Sequence, residues 1–464
     1  MTLKRIGFIL LIASTLACNF VTRMVSPATS TPAPTATFAP TATATPEPLV
    51  PAYIPASCSA DAIATIPPAT ALAQPTPILQ ANPEVEQDLQ LEIFDDVVQI
   101  VEEVYIYPDF NGKDWPGIVD QYRAQVEAGL STEDFYIAIK SMLFDLGDEH
   151  SYFESPVEVA QSEADLAGNN NYVGVGVYVL PQIEKNQVAV ISVYPNSPAE
   201  YGGLKPHDTI LEVDGVPIIS SDGQSQMFLV RGPECSAEVL TVRSPGGEVR
   251  EVILVRELIQ SSMKIDARLV PTTDGSRIGY IFIPTFYDQT IPGQIADALR
   301  NFGPLDGLIL DNRLNGGGSS SVVEPILSFF ASGKLGDFVS RTDSRPFRVS
   351  ADPIENSQEV PLVIMVSEET ASFGEIFSGV LRDTGRAQIV GQTSFGNVEL
   401  LFGYEFDDGS QLWIAQETFD PIFSDDNWEQ TGIIPDLEAH ADWDEFVFET
   451  DPAVAAALSL LGHQ

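Results

Sequence analysis

Three apolar runs in the C-terminal half constrain this chain most: the stretch opening Ile278-Gly-Tyr-Ile-Phe-Ile283, then Gly307-Leu-Ile-Leu-Asp311, then Leu362–Val366. They are nearly continuous rather than alternating, which suits strands buried on both faces, and each runs into a glycine or serine turn and a helical pattern. An α/β core is therefore expected over residues 262–445. Upstream the pattern changes twice. Residues 172–258 hold short alternating strands separated by glycine turns, the signature of a small β-rich domain. Before them, Leu91, Phe94, Val97, Val98, Val101 and Val104 recur at three- and four-residue spacing, so residues 86–165 are expected to form an N-terminal helical domain. Further helices are expected around Ile118–Ala128 and from the Ser131-Thr132-Glu133 cap to Leu146.

The first 85 residues are of another kind. Lys4 and Arg5 precede an apolar stretch, Ile6 to Ala13, too short to span a bilayer, so residues 1–18 read as an export signal. Leu16-Ala17-Cys18 resembles the end of a bacterial lipobox, which makes Cys18 a lipidation site; simple secretion is the other reading. Residues 19–85 are a Pro/Thr/Ala-rich linker, with the sequence from 25 to 49 reading as an extended stalk. The chain is expected at the cell envelope or outside the cell, touching the membrane only through that anchor. Cys58 and Cys235 remain as a candidate disulfide. Residues 446–464 read as a C-terminal tail.

Charge excludes one partner class. Sixty-six Asp and Glu against 23 Lys and Arg give a formal net charge of −43. Binding a phosphate backbone needs clustered cations, so nucleic acid is a poor partner.

The chemistry concentrates where the Leu362–Val366 run ends. Thr370-Ala371-Ser372-Phe373 forms a short turn before a helical pattern with Ile376, Phe377, Val380 and Leu381 on one face. Ser372 then sits at a helix start, where unpaired N–H groups and the positive dipole end favour a developing oxyanion. Either it is an acyl-transfer nucleophile or it simply caps the helix. A second loop, Asn315-Gly316-Gly317-Gly318, permits close backbone approach, so Gly316 or Gly317 is placed to join Phe373 as oxyanion donors. A phosphate-binding loop would need a Gly-Lys-Ser/Thr that is not here.

Taken with Asp311–Gly318, Thr370–Glu375, Thr393-Ser-Phe-Gly396-Asn397 and Gly432-Ile-Ile-Pro435-Asp436, the chain resembles the S41 peptidases, which carry tail-specific and tricorn-like branches. Asn196-Ser197-Pro198-Ala199 through Gly202-Gly203-Leu204-Lys205-Pro206-His207-Asp208 resembles a PDZ domain. His207 stands where PDZ sequences usually have glycine, a change expected to alter only a turn. The resemblance implies an α/β peptidase core, with a β-rich PDZ domain inserted after the helical segment, acting on protein or peptide chains. It implies that the Gly174-Val175-Gly176-Val177 loop captures a chain's C-terminus. In the tail-specific branch a Lys is the general base. Here Asn397 holds that place, and an amide cannot take the proton.

Two readings follow. In the first, His150 of Leu146-Gly-Asp-Glu-His150-Ser151 is the base, as in the tricorn-like branch, oriented by Glu429, with Glu399 as a second candidate. In the second, the fold is an inactive peptide-binding scaffold. No His-Glu-x-x-His or Cys-x-x-Cys occurs, so no metal and no cofactor is expected.

Overall fold

The computed structural model describes residues 51–58, 82–148, 150–166, 172–221, 223–259 and 263–463. The signal segment, Cys18 and most of the linker lie outside the described residues. Among the described residues, no helix is long and apolar enough to cross a membrane.

Three helices open the folded part: α1 (Gln87–Val104), α2 (Trp115–Glu127) and α3 (Thr132–Asp145). On α1 the apolar face buries Ile93, Phe94, Val97, Val98 and Val101. The second and third helices start at Asp114 and Ser131, whose side chains accept the N–H of Gly117 and of Asp134. After α3 the chain turns at Gly147 (φ 76°) into β1 (Tyr152–Glu154) and α4 (Pro156–Leu166). β1 pairs with a strand from near the far end of the sequence, Tyr152 opposite Trp413. That pairing carries the His150 segment into the core.

The inserted domain enters at β2 (Tyr172–Gly174) and continues through β3 (Val177–Gln182), β4 (Gln187–Val193), the short α5 (Pro198–Tyr201), β5 (Thr209–Val213), β6 (Val216–Pro217), β7 (Ala237–Arg243), β8 (Val249–Val255) and β9 (Glu257–Ile259). The sheet order is β3-β4-β5-β7-β8, with β6 beside β5, and entry and exit are tied by the antiparallel β2–β9 ribbon. Its own core holds Val188, Val190, Ile210, Val213, Leu240, Val242 and Leu254.

Residues 51–58 lie against this domain. Cys58 is disulfide-bonded to Cys235, and Tyr53 stacks on Tyr201 with ring centroids 4.2 Å apart.

The last unit begins with β10 (Ala267–Val270), β11 (Ile278–Phe282), α6 (Ile291–Phe302), β12 (Gly307–Asp311) and α7 (Ser320–Phe330). The hairpin strands β13 (Gly333–Ser340) and β14 (Ser344–Val349) precede β15 (Leu362–Val366), α8 (Phe373–Asp383) and β16 (Gln388–Gly391). β17 (Leu400–Glu405), β18 (Gln411–Pro421), α9 (Trp428–Thr431), β19 (Leu437–Glu438) and α10 (Pro452–Leu460) complete it. The central sheet runs β10-β11-β12-β15-β16-β19, parallel except for β10. Both of its faces are covered. Leu308, Leu310, Leu362 and Ile364 pack with the helices, while Ile309, Val363 and Met365 pack toward Trp443 and α10. This two-sided burial is the reason for the unbroken apolar runs. A second sheet, β1-β18-β13-β14 with β17 on β18, stands beside it.

Two expectations change. The segment 446–464 is not a loose tail: α10 buries Ala453, Val454 and Ala457, and Asp451 pairs with buried Arg313 at 2.7 Å. His207 does more than alter a turn. It takes φ 76°, its ring stacks 3.8 Å from Trp443, and Nδ1 lies 2.8 Å from the Trp443 carbonyl, so it joins the inserted domain to the C-terminal segment.

Candidate active site

Ser372 stands where β15 has ended and α8 begins. Its backbone is held at φ 54°, ψ −129°, a left-handed conformation that costs a non-glycine residue about 1–3 kcal/mol. The surroundings enforce it. The Ser372 N–H donates to the Asn397 carbonyl at 2.6 Å, Ala371 N–H donates to the Asn315 carbonyl at 3.1 Å, and the Thr370 hydroxyl donates to the Asn312 carbonyl at 3.0 Å. The side chain makes no capping bond to the helix, and among the described residues its buried Oγ has no hydrogen-bond partner. A cap would spend that oxygen on a backbone N–H. Strain together with an unspent hydroxyl removes the capping reading.

The glycine loop lies directly opposite. Gly317 has φ 100°, and a Cβ there would stand 3.0 Å from Ser372 Oγ and 3.1 Å from Phe373 N. The missing side chain thus leaves open the space that both the hydroxyl and the first helical amide face. Phe373 N–H, in the first turn of α8, has no intrahelical acceptor. Of the two glycine candidates, Gly317 gives its N–H to Asn315 Oδ1 at 2.9 Å, which leaves Gly316 as the uncommitted amide in the loop. Asn315 Nδ2 is buried at the same place with no partner among the described residues. Buried Asn312 fastens this loop to α8 through the Gly374 carbonyl and Ser378 Oγ, both at 2.8 Å.

His150 arrives from the N-terminal unit. Asp148 Oδ1 accepts the N–H of His150 at 2.8 Å and of Ser151 at 2.5 Å, a local turn that the Asp-x-His-Ser order builds by itself. Nδ1 of the imidazole lies 2.8 Å from Glu399 Oε2 and 3.6 Å from Glu429 Oε1. Both carboxylates therefore reach the ring, and Glu399, the second candidate by sequence, makes the direct contact. Glu429 instead accepts the Val398 N–H through Oε2 at 2.6 Å. The stretch 397–399 links the two halves of the site, since Asn397 holds the Ser372 backbone and Glu399 holds His150. The Asn397 contacts come from its backbone: its N–H donates to Glu375 Oε2 at 2.6 Å.

Charge at the site is concentrated. Burial lowers the His150 pKa, but the Glu399 hydrogen bond and the charges of Glu399, Glu429 and Asp148 outweigh it and bring it up to about 9. Burial, with the charge of Glu399, lifts Glu429 to about 8. Tyr105 and Tyr107 face the same carboxylates; burial first, then the charges of Asp148 and Glu399, push both hydroxyls up.

Sequence reasoning overlooked Glu375 as a site residue. Its buried carboxylate accepts from Ser394 Oγ (2.5 Å) and from the N–H groups of Gly396 (2.8 Å) and Asn397 (2.6 Å), so it pins the 394–397 loop to α8. The signal was present in Thr-Ala-Ser-x-x-Glu, where the acid stands three residues after the serine.

The loop Gly174–Val177 lies between β2 and β3. Gly176 takes φ 82°, and its carbonyl accepts the Tyr194 N–H at 2.9 Å, while the Val175 carbonyl accepts the Ala199 N–H at 2.9 Å. β3 is an edge strand of its sheet, with Pro181 near its end. It also touches the core: the Tyr178 hydroxyl meets Thr285, and Phe286 N–H donates to the Gly317 carbonyl at 2.8 Å.

Three regions of the chain match models of known families. The model of Peptidase family S41 matches residues 277–439. The chain carries an S41 peptidase domain. A Tricorn protease C1 domain matches residues 90–144 and a PDZ domain residues 190–244. The carboxyl-terminal-processing protease of Synechocystis sp. is 29% identical over 383 residues, covering 81% of this chain and 87% of that protein. Carboxyl-terminal-processing peptidase 3, chloroplastic, of Arabidopsis thaliana is 27% identical over 354 residues, 73% of this chain and 67% of its own. Among solved structures, the photosystem II D1 C-terminal processing protease superposes with TM-score 0.55 at 25% identity, covering 79% of this chain and 96% of that one. The chain is a serine-type peptidase, its S41 domain joined to a helical unit and a PDZ domain.

Proposed function

We propose that this peptidase is an exported endopeptidase that takes protein or peptide chains by their C-terminus and cleaves them through an acyl-enzyme on Ser372. The observation that carries the reading is the strained Ser372, its hydroxyl unspent, joined through residues 397–399 to the His150–Glu399 pair. Glu399 accepts the Nδ1 hydrogen, which leaves the Nε2 lone pair to take the Ser372 proton as Oγ attacks the scissile carbonyl. The tetrahedral oxygen is held by the N–H of Phe373 and of the glycine loop, Gly316 first and Gly317 if it releases Asn315. His150 then returns the proton to the leaving amine, and water hydrolyses the ester by the same path in reverse.

The PDZ domain supplies capture. The Gly174–Val177 loop receives the terminal carboxylate, and the β3 edge takes the extended chain as an added strand. The charged N-terminus followed by an apolar stretch and Cys18 supports export with a lipid anchor at Cys18, and the Pro/Thr/Ala-rich stretch 25–49 spaces the enzyme from the bilayer, since residues 51–58 of the expected linker are already fastened to the inserted domain by the Cys58–Cys235 disulfide. A fluorophosphonate probe is expected to label the wild-type protein and not Ser372→Ala. An unlabelled wild type that also fails to turn over peptides would sink the acyl-enzyme reading in favour of a peptide-binding scaffold. Cys18→Ala is expected to release the protein from membranes into the soluble fraction.

A further inference from the structure

His150 lies 249 residues before Glu399, Glu429 stands on α9 beyond it, and the three place one donor atom each within 4.8 Å of one another. Their donors are an imidazole nitrogen and two carboxylate oxygens, an N/O set that suits zinc and does not offer the six to eight oxygens of calcium. Four-coordinate zinc holds such ligands at about 2.0–2.1 Å, which sets neighbouring donors about 3.3 Å apart. The two distances from Nδ1, 2.8 and 3.6 Å, bracket that spacing. The side chains are 8%, 1% and 12% exposed, so the group is enclosed yet reachable past His150 and Glu429.

We propose that His150, Glu399 and Glu429 form an inhibitory zinc site in the substrate-free enzyme. Zinc bonds to Nδ1 and the proton it displaces leaves to solvent. The neutral ring then carries its one remaining hydrogen on Nε2, the atom that has to accept the Ser372 proton. Zinc thus switches the enzyme off by fixing the wrong tautomer, without touching Ser372. The ligand set needs no sequence motif because tertiary structure alone brings its parts together. The inhibitory half of this proposal rests on the Ser372–His150 mechanism, and the binding half does not.

Zinc chloride titrated calorimetrically into the full Ser372→Ala protein is expected to show one saturable site per chain. Adding Glu399→Gln or Glu429→Gln in that background should weaken it by at least about tenfold. Cobalt(II) in Ser372→Ala with all three ligands intact should give the intense visible absorption of a four-coordinate site, a readout that does not depend on whether the glutamine variants fold. In the wild type, zinc should arrest peptide turnover, EDTA should restore it, and magnesium should leave it unchanged. No saturable site, an affinity in both glutamine variants unchanged from that of Ser372→Ala, or a six-coordinate cobalt spectrum would overturn the site. Full turnover with zinc bound would overturn the inhibition alone. A wild type inert even with chelator and unlabelled by fluorophosphonate would refute the Ser372–His150 mechanism and inhibition with it, while the calorimetric site would still decide binding.

Discussion

A methyl group at Gly317 would occupy the space between Ser372 Oγ and Phe373 N and would also have to accept φ 100°. Gly317→Ala is therefore expected to lower kcat about 100-fold or more, the scale of losing an oxyanion contact, while circular dichroism stays native. Activity retained within a few-fold would mean that the reacting carbonyl does not lie there. The two glutamates are separable in the same way. Glu399 contacts Nδ1 directly, so Glu399→Gln, which favours the wrong tautomer, should cost kcat about 10³–10⁴-fold. Glu429→Gln should cost less, because Glu429 mainly holds the Val398 amide. The opposite ranking in steady-state kinetics would restore Glu429 as the orienting residue. His150 adds a pH dependence with two signs. Its pKa is raised to about 9, so with chelator present turnover should climb with pH toward that value as the imidazole loses its proton. Stability should run the other way. The folded state holds the His150 proton more tightly than the unfolded chain does, so that contribution is complete below about pH 6.5 and is lost as pH rises through 9. Glu429, raised to about 8, acts in the same direction from its unfolded value upward. A thermal midpoint that rises between pH 7 and 9 would contradict both assignments.

At the scale of elements, β15 shows why the core was readable and the site only partly so. Leu362–Val366 is buried on both faces, and Ile364→Ala should destabilise the protein by about 2–5 kcal/mol, measurable by denaturant unfolding. The helices α1 and α3 were legible because the apolar periodicity of the first and the Ser131 cap of the third are local, while α2 starts at its Asp114 cap, a few residues ahead of the expected Ile118. The pairing of β1 with β18 was not. It joins residues about 260 apart and depends on a register that no local pattern states, yet it is what delivers His150. The same limit explains the order of the glutamates: motif spacing pointed first to Glu429, while the path of the 397–399 stretch brings Glu399 to the ring. His207 looked like a substituted turn because its stacking partner, Trp443, is 236 residues away.

Across the whole molecule, the ends of the described chain are stapled to its middle. The Cys58–Cys235 disulfide closes a separation of 177 residues, and Cys58→Ser should lower stability by about 2–4 kcal/mol under oxidising conditions and leave 51–58 open to proteolysis. At the other end, Asp451 and α10 cover the sheet and Arg313, so a chain truncated before Pro452 should lose thermal stability and activity together. The sequence by itself determined the order of units, the buried strands, the strand-to-helix position of Ser372 and the glycine loop opposite it, because each follows from short-range patterns of burial, capping and backbone freedom. Only the tertiary structure decided that Glu399 lies closer to His150 than Glu429 does, that Gly317 keeps the space before Ser372 clear, and that the last helix is part of the core. Those outcomes depend on distances between segments tens to hundreds of residues apart, and such distances are fixed by packing and strand register.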